Sequence, residues 1–198
     1  MNLRNLFRSP GVRNLHRIVW VSGDRFFRRG DGIAAVEFAL IMPLMLLLYL
    51  GTFEVSQAIS AKRKSVEAAS AVANIVTQYT NISASQTMPD ILNAAVSVLT
   101  PFDASKAVVT VSCINIDATG KATIGWSRAL NGSARQVGQT VSLPAALDIP
   151  NTSVIMGETT YTYVPLVDFM GLGTSHLYSY VYMLPRASTT ITLGSSLE

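Results

Sequence analysis

From Ile33 to Phe53 the chain runs through 21 residues in which Glu37 is the only charge. At about 1.5 Å per residue these span about 30 Å, the thickness of a bilayer's hydrocarbon core. The pattern predicts a membrane-spanning helix. Pro43 removes one backbone donor, which a membrane helix tolerates with a kink. Residues 56–78 are alanine-rich and hold Val66, Ala69, Val72, Ala73, Val76 and Tyr79 at helical spacings. One long helix over residues 34–78 is therefore expected, half in lipid and half packing a domain. The alternative is two helices with a break near Gly51 or Ser60.

The later pattern changes period. Residues 81–87 are polar and read as a loop. Pro89 opens a second helix with Ile91, Leu92, Ala95, Val96 and Leu99 as its apolar face, and Pro101 ends it. Residues 107–117 are β-branched and alternate, 118–120 read as a turn, and 121–128 return as a second strand. Residues 131–133 form another loop. Further strand candidates lie at 140–143, 153–164, 178–183 and 188–193. The expected class is α+β: a long N-terminal helix, a short helix, then an antiparallel meander packed on the distal half of the long helix. About 140 residues beyond the membrane segment suffice for one core.

Charge adds a direction. Residues 1–32 carry seven arginines, among them Arg25, Arg28 and Arg29, against Asp24 and Asp31, while residues 33–198 carry a net charge of −2. The basic balance thus belongs to the leader and does not imply nucleic-acid binding. Positive charge just before an apolar run keeps that end in the cytoplasm. Lys62, Arg63 and Lys64 oppose this on the far side, three charges against seven. Two rival readings share these features. A cleaved secretory signal lacks a good small-residue site after the run, because Glu54 and Gln57 intervene. An uncleaved anchor would leave Glu37 reaching to the interface.

A carboxylate at the centre of a membrane helix costs about 2.5–3.5 kcal/mol, and less near the interface, so Glu37 calls for a partner. A basic leader ending in Gly32, followed by an apolar segment with glutamate at its fifth position, resembles a type IV prepilin processing site. The phrase from Arg28 to Leu44, and the following Gly51-Thr52-Phe53-Glu54, resemble the TadE-like pilus assembly proteins, pseudopilins or minor pilins of the tight adherence system that builds Flp (type IVb) pili. The segments Tyr161 to Leu166 and Tyr182 to Arg186 are similar to that family's C-terminal strand motifs. The resemblance implies a cleaved cytoplasmic leader (1–32), a transmembrane helix (33–54) and a periplasmic α+β, pilin-like domain (55–198), held in the inner membrane of a bacterium with two membranes. It implies cleavage by a prepilin peptidase between Gly32 and Ile33, with Gly30 a competing glycine. It assigns assembly and register to Glu37 and Phe38, with the free ammonium of a mature chain start as the partner of Glu37. Other pilin-like subunits and the pilus assembly platform are the implied partners.

Catalytic chemistry has little to stand on. Ser175, His176 and Asp168 could be drawn as a triad, but no Gly-x-Ser-x-Gly elbow accompanies them. One histidine beyond the leader cannot build a metal site, and no Gly-x-x-x-x-Gly-Lys-Ser/Thr loop is present. No enzyme activity, metal, cofactor or small-molecule substrate is expected. Cys113 is the single cysteine, so an intrachain disulfide is excluded, and its apolar strand suits burial. Alternation places Tyr161 with Tyr163, and Tyr178 with Tyr180 and Tyr182, on one face of their strands. Cross-strand packing is the favoured role for these tyrosines and a docking or adhesive surface is the alternative.

Overall fold

The computed structural model describes residues 31–165, 168, 171 and 173–194, without the side chain of Asp31. The leader arginines Arg25, Arg28 and Arg29 lie outside the described residues. The chain divides into two units, Met1–Leu50 and Gly51–Glu198.

Helix α1 runs from Asp31 to Val76 and contains Pro43. It contributes its first part to the first unit and the rest to the second. No break occurs at Gly51 or Ser60, so the single-helix expectation holds and the two-helix alternative does not. In the second unit Ala61, Ser65, Ala68, Ala69, Val72, Ala73 and Val76 are buried. Their spacing of three and four residues marks one stripe of a helix facing a core.

Strand β1 (Asn81–Ser83) follows, in the stretch expected to be loop. Helix α2 covers Thr87–Ser97 and buries Met88, Ile91, Leu92, Ala95 and Val96. Pro89 stands in its first turn, where a missing N–H breaks no helical bond. A 3-10 turn at Ala104–Lys106 is capped by the Asp103 side chain, which accepts from Ser105 N. It leads into β2 (Ala107–Ile116), β3 (Ala122–Leu130), β4 (Thr152–Tyr163), β5 (Ser175–Met183) and β6 (Thr192–Gly194). The β2–β3 turn is held by the Asp117 carboxylate, which accepts from Thr119 N at 2.8 Å and Lys121 N at 3.0 Å. Gly120 supplies the positive φ the turn needs.

The main sheet is antiparallel, with order β3-β2-β4-β5. It is therefore not a simple meander, because β4 pairs with β2 and not with β3. Residues 131–151 carry the chain back across the sheet. Within them Val141, Leu143 and Leu147 pack on Ile114, Ile124, Val154 and Met156. The apolar alternation that predicted a strand at 140–143 instead serves this cover, and its start is tied to the β3 edge by an isolated bridge of Thr140 to Thr123 and by backbone bonds of Gly138, Gln139 and Val141. The expected strand at 188–193 shrinks to β6, which leaves the main sheet and pairs in parallel with β1. A long-range partner, invisible in local periodicity, decides both.

The other face of the sheet packs on the second half of α1. A Cβ added to Gly157 would fall well inside van der Waals contact with the Ala69 carbonyl oxygen and 3.1 Å from the Ala73 and Val72 side chains. Glycine is what lets β4 lie directly on the helix backbone. Val72, Val76, Val109, Val111, Ile155 and Leu99 are wholly buried around that contact, forming the main core.

Candidate assembly segment

In the first unit the helix presents its apolar side chains outward all round. Ile33 is 67 % exposed and Phe38 62 %, and Leu40, Leu44, Leu48 and Tyr49 are exposed as well. A helix apolar on every side belongs in a core or a membrane, and none of the most apolar window is buried inside the molecule. This helix is long and apolar enough to cross a membrane, which fits single-pass anchoring.

Gly32 is the second residue of α1. An added Cβ there would meet nothing within 4 Å. Gly32 and Ile33 are both exposed. Glu37 is exposed and stands four residues, or one turn of about 6 Å, beyond Ile33. Phe38, one residue on, presents an aromatic ring on an adjacent face.

The second unit begins with two glutamate-linked arrangements that sequence reading did not single out as sites. Glu54 is buried and lies near Tyr163, whose phenol is raised by burial and then by the Glu54 charge. The outer face of the sheet holds a clamp. Arg135, from the returning segment, donates Nε and Nη2 to the two Glu158 oxygens, each at 2.6 Å. Tyr178 donates its hydroxyl to Glu158 Oε1 at 2.5 Å. Partial burial, and then that bond, push the Tyr178 phenol up to about 12. The Arg135 guanidinium is held above its ordinary range by the Glu158 hydrogen bonds. The clamp pins the long segment onto the sheet. Its members are 23 and 20 residues apart in sequence, and only the alternation of tyrosines hinted at one of them.

The tyrosines divide by face. Tyr161 and Tyr163 are buried in the main core, and Tyr161 meets Phe102 edge-on at 6.0 Å. Tyr178, Tyr180 and Tyr182 form a row on the opposite face with ring centroids 5.7 and 5.6 Å apart. Burial in the main core thus accounts for the first pair, while Tyr178 and Tyr180 stay about half exposed.

The remaining candidates are engaged locally. His176 Nδ1 shares a hydrogen bond with Thr162 Oγ1 at 3.2 Å, and Asp168 accepts from Gly173 N at 2.9 Å. Lys62 donates to the Tyr178 carbonyl and to Ser179 Oγ, and Lys64 pairs with Glu67 at 2.9 Å. Among the described residues no group of three or more His, Cys, Asp or Glu could hold a metal. Cys113 is buried, and burial raises its thiol.

Comparison with known proteins matches this helix. Residues 32–74 fit the family model described as TadE-like protein. No curated protein and no solved structure matches the chain. The matched span opens at Gly32, takes in Ile33, Glu37 and Phe38, and closes two residues before the end of α1, so the resemblance read from residues 28–54 is borne out: the chain is TadE-like through this helix, which points to a role in pilus assembly.

Proposed function

We propose that the chain is a prepilin-like minor pilin or pseudopilin that assists assembly of Flp (type IVb) tight-adherence pili. A prepilin peptidase removes the leader between Gly32 and Ile33, and the mature chain works by side-by-side packing of its apolar helix with other pilin-like subunits and the assembly platform. The leader is cytoplasmic, α1 crosses the inner membrane once, and residues 55–198 lie in the periplasm. The chain carries out no catalysis of its own and takes no cofactor.

The observation that carries this reading is the coincidence of three features at one helix start. The family match begins at Gly32, the first part of the helix from that point is apolar and exposed on all sides, and Glu37, the single acidic residue between Ile33 and Phe53, sits about one turn beyond Ile33. Cleavage would create an ammonium at Ile33, a partner for the Glu37 carboxylate of a neighbouring subunit. Opposite charges in a low-dielectric setting attract strongly, and desolvation offsets much of that gain. The pair therefore acts mainly on axial register between subunits. The seven leader arginines against the three basic residues just past the span, Lys62, Arg63 and Lys64, support the orientation, and Lys62 and Lys64 are already bonded within the α+β unit.

The test is Glu37→Ala in cells that make the pili. Leader removal is expected to proceed normally while pili per cell fall at least about tenfold, the loss of roughly 1.4 kcal/mol of register energy or more. Normal piliation in that variant would remove the role given to Glu37.

A further inference from the structure

The last part of the described chain runs as a strap over the α+β unit. Arg186 N donates to the Thr77 carbonyl at 2.9 Å, at the end of α1. Ser153 Oγ at the start of β4 donates to the Thr189 carbonyl at 2.7 Å. Trp126 Nε1 in β3 donates to the Ile191 carbonyl at 2.7 Å. Thr192 N donates to the Thr80 carbonyl at 3.1 Å, and Ala84 N donates to the Gly194 carbonyl at 2.8 Å. Between these last two, β6 pairs with β1 over three residues.

The strap is lightly held for its length. Of residues 186–194 only Ile191 is buried, at 2 % exposure; the others are exposed or half-exposed. Its grip is thus the buried Ile191, the partly buried Leu193 and a set of hydrogen bonds to its backbone, several at the surface. Segments with few buried apolar contacts and exposed backbone bonds open at lower free energy than the core they lie on. Beneath it lies the sheet position where Cys113 pairs with Trp126. Cys113 is 1 % exposed and shares one core cluster with Trp126 and Ile191.

We propose that residues 186–194 open as a unit while the rest of the α+β unit stays folded, and that this opening is the route by which solvent reaches the Cys113 thiol. Opening vacates the Ile191 seat, releases the Trp126 indole N–H and frees the hydrogen-bonding edge of β1. The strap is thus a built-in conformational gate, closed in the structure and separable from global unfolding.

The chain carries its own probe, because Cys113 is its single cysteine. The full chain in lipid nanodiscs is reacted with a thiol reagent across a urea series, and the labelling rate is compared with global unfolding. Below the unfolding transition the rate should be nearly independent of urea. Ile191→Ala should raise it about tenfold or more, since truncating a buried isoleucine removes most of the grip. Trp126→Phe, which keeps an aromatic ring of smaller size and deletes the hydrogen bond, should raise it about three- to tenfold. Val72→Ala, on α1 where it packs against Gly157 of β4, should lower the global urea midpoint and leave the labelling rate unchanged. Labelling that follows the full urea slope of global unfolding would overturn the proposal. So would a Val72→Ala acceleration equal to that of Trp126→Phe, or no labelling of folded protein in any variant. If Ile191→Ala fails to fold, the Trp126→Phe and Val72→Ala pair decides.

Discussion

A single methyl group at position 157 would press β4 off the helix beneath it, because the Ala69 carbonyl already fills that space. Gly157→Ala is expected to destabilise the α+β unit by about 1–3 kcal/mol, the usual cost of overpacking, read as a lowered urea midpoint by near-ultraviolet dichroism. Tyr178 makes a different residue-scale prediction. Its phenol titrates near 12 in the folded chain and near 10 when unfolded. Between these values the unfolded state has lost a proton that the folded state keeps, so stability falls as pH rises. The contribution is whole below about pH 10 and gone above about pH 12. Tyr161, Tyr163 and Tyr182 are raised as well and act with the same sign. Tyr178→Phe should therefore flatten, without abolishing, the decline in urea midpoint between pH 10 and 12; an unchanged decline would dissociate Tyr178 from it.

At the scale of elements, local periodicity made the helices and the long strands legible. Val72, Ala73 and Val76 announce a buried stripe whether or not the partner sheet is known, and the β-branched run in β2 announces a central strand. The returning segment and the C-terminal end were not legible for one reason. Val141 and Leu143 look like a strand because they cover a sheet face, and Asn81–Ser83 looks like a loop because its partner lies more than a hundred residues away. The Arg135–Glu158–Tyr178 clamp likewise joins three elements and leaves no spacing to read. Glu37 was legible because a charge in an apolar run stands out without tertiary information. The apolar half of α1 supports a direct test. Leu46→Asp places a second carboxylate deep in the run at a cost of about 2.5–3.5 kcal/mol. It should shift a large share of the protein from the alkali-resistant membrane fraction to the extractable one, and unaltered membrane retention would contradict spanning.

For the whole molecule, helix α1 joins two environments. Its first part is exposed and apolar, and its second part is a core element of an α+β unit. That division is what a subunit needs if lateral helix packing and domain docking are separate jobs. The proposed orientation predicts that fusion of alkaline phosphatase at the C-terminal end is active and fusion before Gly32 inactive. The reverse pattern would invert the proposed topology.

The most direct test concerns the chemical start of the mature protein. Protein extracted from the membranes of native cells should show, by intact-mass and N-terminal peptide mass spectrometry, a chain beginning at Ile33 with a free amine. Material that keeps Met1, or begins at a residue other than Ile33, would leave Glu37 without the ammonium proposed for it and contradict the pilin-like account.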